Sequence, residues 1–347
     1  MDREKLNEKA LDRISNNENV LLEWATGTGK TYAALNAIRH IGGNWLIVLS
    51  EKQHMDNWAK EITKHGMEDI LMQTDFVLYA SLHKYKKSIY HGIILDEAHH
   101  AMTDKRIAIL KTIKRQRTVL LTATFDEFEK MRFRTEFGSL LSIKISLKRA
   151  IELGFVPKPE IHLHKLTLSS SDRISYNKLT NKMNYWKNRY FHDREEWMKM
   201  RWLSHGSKRK KFLADKKTDY AKELIKNLGK RRFICFTGSI NQSIEIGDIN
   251  SVHSKKKGNQ NVIDKFNKGE IDNIFATGML KEGTNLNNID VGIIIQLSSK
   301  LKDFIQMMGR SLRSKNVPEQ HIIYFEGTQD EVYLNNVINE VKDYVKI

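Results

Sequence analysis

Short apolar runs alternate with segments of helical periodicity in the first third of the chain. Five runs have the length of buried strands: NVLLEW (19–24), NWLIVLS (44–50), DFVLYAS (75–81), HGIILD (91–96) and TVLLTAT (118–124). Between them, stretches such as TYAALNAIRH and HMDNWAKEITKHG place apolar residues at helical spacing. Strands that alternate with helices predict a parallel sheet covered by helices on both faces.

The same alternation returns in the last third of the chain. Its apolar runs are RFICFTG (232–238), NIFATG (273–278), VGIIIQLS (291–298) and HIIYFEG (321–327). The sequence therefore predicts an α/β protein of two domains, residues 1–148 and 149–347. Pro157 and Pro159 lie in the segment that joins them and favour an extended crossing.

Residues 182–217 interrupt this rhythm with twelve lysines and arginines against four acids. We expect a basic helical insertion at about 175–217. Four apolar residues in it recur at helical spacings, namely Met183, Trp186, Tyr190 and Trp197. Packing of this stripe on the second domain is favoured over stacking on bases. The basic run of Lys208, Arg209, Lys210 and Lys211 is expected to project outward and contact nucleic-acid phosphates.

The overall charge supports a polyanionic partner. The 347 residues carry a formal net charge of +16, which indicates nucleic acid first and an anionic membrane second. Cys235 is the only cysteine, so no intrachain disulfide can form, which suits the cytoplasm. The N-terminus has no apolar signal core, and the longest apolar runs are too short to span a membrane. We therefore expect a cytoplasmic protein without a membrane partner.

A phosphate-binding loop is predicted where ATGTGKT follows the first apolar run and precedes a helical segment. The predicted binding residues are Ala25, Thr26, Gly27, Thr28, Gly29, Lys30 and Thr31. Gly27 and Gly29 let the backbone approach the phosphates, Lys30 reaches the β- and γ-phosphates, and the Thr31 hydroxyl binds Mg²⁺. The general pattern has another glycine at position 24, where this chain has tryptophan.

The run IILDEAHH (93–100) supplies the acidic groups that such a loop requires. Asp96 ends an apolar run, which places its carboxylate at the edge of the sheet where such folds bind ligands. We expect Asp96 to hold Mg²⁺ and Glu97 to orient or deprotonate the attacking water. Beside this pair, His99 is interpreted as a coupling residue, and His100 receives no role.

The ordered motifs resemble those of superfamily 2 helicases and translocases of the DEAH type, in particular short phage-encoded members. ATGTGKT, DEAH and TAT (122–124) resemble motifs I, II and III, while FTGS (236–239), ATGMLKEGTNL (276–286) and QMMGRSLR (306–313) resemble motifs IV, V and VI. The resemblance extends from about residue 6 to residue 327. It implies two tandem RecA-like domains with parallel sheets, which bind ATP and Mg²⁺ in the cleft between them.

The resemblance also assigns roles to individual residues. Arg310 and Arg313 would act as arginine fingers, Gln306 would contact the γ-phosphate or water, and Gly283 would form the turn of motif V. Thr122 and Thr124 would couple ATP hydrolysis to movement. The expected nucleic-acid contacts are Ser50, Lys52, Ser81, Thr237, Ser239 and Thr277. Asn7 stands near the usual adenine-reading glutamine, and Asn285 replaces the usual aspartate of motif V.

The resemblance implies a nucleic-acid-dependent ATPase that acts as an ATP-driven helicase or translocase, with DNA favoured over RNA. Three alternatives remain at this point. One is an RNA helicase of the same fold, and another is a motor subunit that acts only with a replication, repair or nuclease partner. The third is a nucleic-acid clamp that binds ATP and barely hydrolyses it.

Overall fold

The computed structural model describes residues 2–277, 286, 288–298, 304, 307–309, 317–339 and 341–346. These residues form two compact units that divide between Pro157 and Lys158, rather than at residue 148. The difference arises because the segment after residue 146 forms a short helix that buries Leu147, Ala150 and Ile151 in the first unit. The chain leaves this unit only at the first proline of the predicted linker.

The first unit is built on a six-stranded parallel sheet with the order β3-β2-β4-β5-β1-β6. Its strands are β1 (Asn19–Trp24), β2 (Trp45–Leu49), β3 (Thr74–Leu78), β4 (Gly92–Asp96), β5 (Arg117–Thr122) and β6 (Leu141–Ile145). All five predicted runs form strands. The sequence missed the edge strand β6, because its buried and exposed residues alternate and give no continuous apolar run.

Helices connect the strands of the first unit. They are α1 (Arg3–Asn16), α2 (Lys30–Ile41), α3 (Lys52–Lys64), α4 (Asp104–Thr112), α5 (Glu127–Phe137) and α6 (Leu147–Glu152). Local sequence fixes several of their ends. Asp126 and Glu129, for example, form a reciprocal capping box at the start of α5. Because the strands are parallel, the loops that follow β1, β4 and β5 open on the same edge of the sheet.

The second unit contains a seven-stranded parallel sheet with the order β13-β7-β12-β11-β8-β10-β9 among the described residues. Its strands are β7 (Glu160–Leu166), β8 (Phe233–Phe236), β9 (Ser251–Val252), β10 (Asn273–Ala276), β11 (Val291–Ile294), β12 (Glu319–Phe325) and β13 (Val345–Lys346). Its helices are α7 (Ser170–Asp193), α8 (Glu196–Asp215), α9 (Thr218–Leu228), α10 (Ile240–Gly247), α11 (Asn259–Lys268) and α12 (Gln329–Ile338). The predicted α/β class with two parallel sheets is thus confirmed.

The predicted basic insertion consists of the two consecutive helices α7 and α8, which pack on each other as a hairpin. Trp186 meets Trp197 across the hairpin at 5.5 Å between ring centroids, and Tyr190 stacks on Trp202 at 6.0 Å. Trp186 and Tyr190 of the predicted stripe therefore face α8, whereas packing on the second domain was predicted. Within the described residues, no helix has the length and hydrophobicity that crossing a membrane requires.

Two basic residues of this segment are buried. Arg209 was expected to project outward, and this expectation is wrong: the side chain is 5% exposed and donates from Nη2 to Gln329 Oε1 at 2.6 Å. Lys217 is also fully buried, where its Nζ lies 2.6 Å from Asp330 Oδ2 and donates to Ile295 O at 2.6 Å. Burial lowers the pKa of Lys217, and Asp330 opposes that shift. Arg209 lies on the inward-facing side of α8, as does Leu213 one turn later, and Lys217 lies in the turn between α8 and α9.

Candidate active site

The predicted phosphate loop forms a tight turn between β1 and α2. Gly27 and Gly29 adopt left-handed backbone conformations with φ of +83° and +95°, which favour glycine. Thr28 Oγ1 closes the turn by donating to Ala25 O at 2.7 Å. Trp24, which stands at the position of the general pattern's first glycine, is buried as the last residue of β1. The turn thus retains its curvature without a glycine at that position.

Lys30 begins α2 and folds back across the loop. Its Nζ donates to Trp24 O at 2.8 Å and to Ala25 O at 3.3 Å. The first turn of α2 also presents backbone N–H groups and the positive end of the helix dipole. Thr31 follows in the same turn and is half-buried. A loop of this build, with a cation and a helix N-terminus, fits phosphate oxygens.

Asp96 lies at the carboxyl end of β4, on the same sheet edge as the loop. Its Oδ2 accepts a hydrogen bond from Trp58 Nε1 at 3.0 Å and lies 3.5 Å from His54 Nδ1. Burial alone would raise the pKa of Asp96, but hydrogen bonds from His54 and Trp58 and the charge of Lys30 lower it overall. Asp96 is therefore held as a carboxylate, the form that fits a magnesium ligand.

The sequence did not reveal His54 and Trp58 as site residues. They lie one turn apart on α3, and their side chains are 5% and 1% exposed. Burial would lower the pKa of His54, but its hydrogen bond and charge interaction with Asp96 raise it. Their spacing could have indicated them, because a histidine and a tryptophan four residues apart on one helix face follow β2. Strand β2 is the sheet neighbour of β4, which carries Asp96.

Glu97 adopts a left-handed conformation with φ of +46°, which is uncommon outside glycine. Its Oε2 is buried and accepts no hydrogen bond within the described part of the chain, and it lies 3.6 Å from His99 Nδ1. A buried carboxylate oxygen with unused acceptor capacity suits a group that holds and deprotonates water. Backbone strain at this position is consistent with a functional constraint.

The TAT motif forms a small turn directly after β5, which lies between β4 and β1 in the sheet. Thr122 Oγ1 donates to Thr124 O at 2.9 Å, and Thr124 N lies 3.3 Å from Thr122 Oγ1. The two predicted coupling residues therefore occupy the sheet edge between the acidic pair and the phosphate loop. The Thr124 hydroxyl is buried without a hydrogen bond to any described residue.

The start of α1 also reaches the phosphate loop. Arg3 Nη2 donates to Phe155 O at 2.5 Å and to Gly27 O at 3.4 Å. Asn7 lies one turn further along α1, and its Oδ1 is buried without a hydrogen bond to any described residue. The predicted adenine-reading amide therefore lies on the helix that contacts the loop. The contribution of Arg3 was not predicted.

The predicted nucleic-acid contacts of the first unit follow neighbouring strands. Ser50 follows β2, with Oγ 3.5 Å from His54 Nδ1, and Lys52 is exposed at the start of α3. Ser81 lies in the 3-10 turn Tyr79–Tyr85 that follows β3. All three thus lie beyond the carboxyl ends of adjacent strands in one sheet.

Three of the nucleic-acid contacts predicted in the second unit lie close together, beyond the ends of β8 and β10. Thr237 follows β8 and Thr277 follows β10, and their hydroxyl oxygens lie 2.6 Å apart. Thr277 Oγ1 also donates to Ser239 O at 3.0 Å, while Ser239 Oγ caps α10 by accepting from Gln242 N at 3.2 Å. Lys208 and Lys211 are exposed on α8, whereas Lys210 lies 5.1 Å above the ring of Tyr333.

The remaining predicted residues of motifs V and VI are outside the described part of the structure. These residues are Gly283, Asn285, Gln306, Arg310 and Arg313. Their roles remain predictions from the sequence.

Two family models match segments of the chain. Residues 2–81 match the "Type III restriction enzyme, res subunit" family, and residues 215–315 match the "Helicase conserved C-terminal domain" family. The first match contains the phosphate loop together with His54 and Trp58. The second begins at the end of α8 and includes the predicted motifs IV, V and VI.

Curated relatives are similar over most of this chain. A putative DNA 3'-5' helicase Rad25 of Halobacterium salinarum is 20% identical over 92% of this chain and 54% of its own length. The putative ATP-dependent helicase IRC3 of Saccharomyces cerevisiae is 25% identical over 87% of this chain and 48% of its own. The DNA 3'-5' translocase XPB2 of Sulfurisphaera tokodaii is 21% identical over 88% of this chain and 77% of its own length. The chain thus spans about half the length of the first two relatives.

Solved structures share the fold. The Pyrococcus furiosus Hef helicase domain superposes with a TM-score of 0.55 at 13% identity, covering 95% of this chain and 96% of its own. Saccharomyces cerevisiae Dbp5, bound to RNA and ADP BeF3, superposes with a TM-score of 0.66 at 12% identity. This match covers 98% of this chain and 88% of the Dbp5 chain. The two units have the fold of tandem RecA-like domains.

Proposed function

We propose that this chain is the ATP-driven motor of a DNA helicase or translocase of the DEAH type. The observation that carries the proposal is the edge of the first sheet, where Asp96 and Glu97 lie beside a phosphate loop with Lys30. Two helicase-related family matches on the same chain support it. The resemblance to short phage-encoded members remains a prediction from the sequence, as does location in the cytoplasm.

The residues of the first unit divide the chemistry of ATP hydrolysis. Lys30 and the N–H groups of α2 bind the phosphates, and Thr31 and Asp96 would hold the Mg²⁺ ion that neutralises phosphate charge. Glu97 orients the attacking water and accepts its proton at Oε2. Trp58 and His54 fix the Asp96 carboxylate in place. Asn7 is proposed to contact the adenine.

DNA is the proposed track because the Rad25 and XPB2 relatives are named as DNA-directed proteins. The hydroxyls at the ends of β8 and β10 and the exposed lysines of α8 suit contacts to the phosphate backbone, which position a strand without reading its sequence. Thr237, Ser239 and Thr277 are the proposed contacts in the second sheet. Ser50, Lys52 and Ser81 are the proposed contacts in the first.

ATP hydrolysis by the purified chain, measured with single-stranded, duplex and forked DNA and with RNA, tests the proposal. We expect DNA to stimulate turnover more than RNA does. Lys30→Ala should lose ATP binding, and Glu97→Gln should bind ATP without turning it over. Stronger stimulation by RNA would instead identify an RNA helicase. Wild-type turnover no higher than that of Glu97→Gln would identify a clamp and overturn the motor.

A DNA-unwinding assay with the same preparation separates a helicase from a motor that depends on a partner. We expect strand separation on a forked substrate. DNA-stimulated hydrolysis without unwinding would instead support the motor subunit, which could serve a replication, repair or nuclease protein. The same Glu97→Gln variant is the control, since it keeps the fold and removes the proposed base.

A further inference from the structure

A cluster of histidines in the second unit is not used by the proposed motor. His162 on β7 and His321 on β12 are register partners in adjacent parallel strands. Glu319, the first residue of β12, lies on the same face two residues before His321. One ligand atom from each of these three residues lies within 4.8 Å of the others. The cluster lies at the amino end of β12, whereas motifs IV and V follow the carboxyl ends of strands.

The possible metal-binding atoms of the cluster lie close to one another. His321 Nε2 lies 3.5 Å from Glu319 Oε2, and the ring of His162 stacks on that of His321 with a centroid distance of 4.8 Å. His162 Nε2 is buried and has no hydrogen-bond partner in the described residues. Ligands of a tetrahedral zinc ion lie about 3.3 Å apart, so small side-chain rotations would bring these donors together.

A second layer of residues orients His321. Its Nδ1 lies 2.8 Å from His164 Nε2, and His164 Nδ1 lies 2.8 Å from the Tyr220 hydroxyl. In the tautomer in which His321 Nδ1 donates to His164, the Nε2 lone pair of His321 faces Glu319. Histidines that bind metals commonly donate their other ring N–H in this way, which fixes the ring and the tautomer.

One charged side chain outside the cluster contacts Glu319. Arg231 Nη1 donates to Glu319 Oε2 at 2.7 Å. Arg231 contacts the same oxygen as the proposed ion. Its side chain is 37% exposed, so it has room to withdraw toward solvent.

We propose that His162, Glu319 and His321 bind one Zn²⁺ ion, with water as the fourth ligand. Two imidazoles and one carboxylate are the donor set that zinc prefers over Mg²⁺ or Ca²⁺, which bind oxygen ligands. The ion would link β7, the first strand after the break at Pro157, to β12, its neighbour in the sheet. Because the ion would bind the folded state alone, it would stabilise that state.

Zinc binding to the untagged, full-length chain tests this site without reference to ATP hydrolysis. Metal content after equilibrium dialysis against Zn²⁺ should be one ion per chain, and Co²⁺ should give the visible absorption of a tetrahedral site. His162→Gln and Glu319→Gln should each lose the ion and the Co²⁺ absorption. His164→Phe should retain the site with affinity reduced by about 10- to 100-fold.

His192→Gln is the matched control, because His192 is an exposed histidine on α7 outside the cluster. It should bind Zn²⁺ as the wild type does. Wild-type protein without stoichiometric zinc at micromolar free metal would overturn the site, whatever the variants do. Equal zinc content in wild type and in the folded Glu319→Gln variant would overturn it as well.

Discussion

At the scale of single residues, the Asp96 carboxylate is held in place by neighbouring side chains and by the backbone. Its Oδ2 is held from α3 by Trp58 Nε1 and lies near His54, while Oδ1 accepts from the backbone N–H of Glu97 at 3.0 Å. Hydrogen bonds to a charged group are stronger than neutral ones, at about 1.5–3 kcal/mol. In the proposed motor, Trp58 would therefore be a positioning residue that acts through the Asp96 carboxylate rather than on ATP itself.

Replacing Trp58 with phenylalanine should lower the maximal ATP turnover by about 10-fold, because the hydrogen bond to Asp96 is lost while most of the buried ring remains. The Mg²⁺ concentration for half-maximal turnover should rise as well. Trp45→Phe is the matched control, since Trp45 is a fully buried tryptophan whose Nε1 donates to Gly42 O instead. Steady-state kinetics across Mg²⁺ concentrations measure both variants. Equal losses of ATP turnover in the two variants would argue that Trp58 does not position Asp96.

At the scale of the element, the α7–α8 hairpin carries its charges on two faces with different surroundings. Lys208 and Lys211 are exposed, whereas Arg209 is buried between Gln329 and the ring of Tyr176. The helical period explains the split, since neighbouring positions point about 100° apart. Adjacent basic residues of one run therefore have different surroundings.

A double variant, Lys208→Gln with Lys211→Gln, should weaken DNA binding and reduce the slope of log affinity against log salt by about 1 to 2. Arg209→Gln should leave that slope unchanged and lower the free energy of unfolding by about 1–3 kcal/mol, because it disturbs a buried hydrogen bond. Fluorescence anisotropy across salt concentrations and denaturant titration measure the two effects. An unchanged slope of log affinity against log salt in the lysine variant would show that these lysines do not contact DNA.

At the scale of the whole molecule, the proposed motor needs residues from both units. The phosphate loop and the acidic pair belong to the first unit, and the resemblance assigns Arg310 and Arg313 to the second. An arginine finger stabilises charge that develops on the γ-phosphate during hydrolysis. Such a finger contributes to turnover rather than to ATP binding by the loop.

Arg313→Ala should therefore retain ATP binding and lose DNA-stimulated hydrolysis by about 10³-fold or more. Fluorescent-nucleotide titration and steady-state hydrolysis measure the two properties separately. Lys315→Ala removes a nearby charge outside the motif and should behave as the wild type does. If Arg313→Ala hydrolyses ATP at the normal rate, the finger assignment is incorrect.

The sequence by itself determined the α/β class, nine of the strands and the loop with its acidic pair. Strands buried on both faces appear as continuous apolar runs, and glycines with lysine between a strand and a helix define the phosphate loop locally. Four strands lack such runs, namely the edge strand β6, the strand β7 and the short strands β9 and β13. Local patterns therefore predicted the strands with continuous apolar runs and missed those that are short or that carry polar residues.

Only the tertiary structure decided which distant residues meet. Trp58 reaches Asp96 because β2 and β4 are neighbours in the sheet, and His162 meets His321 because β7 pairs in register with β12. Burial of Arg209 and Lys217 depends on α12, which presents Gln329 and Asp330 to them. These contacts join residues far apart in the chain, so no local pattern could specify them, and packing between elements fixed their partners.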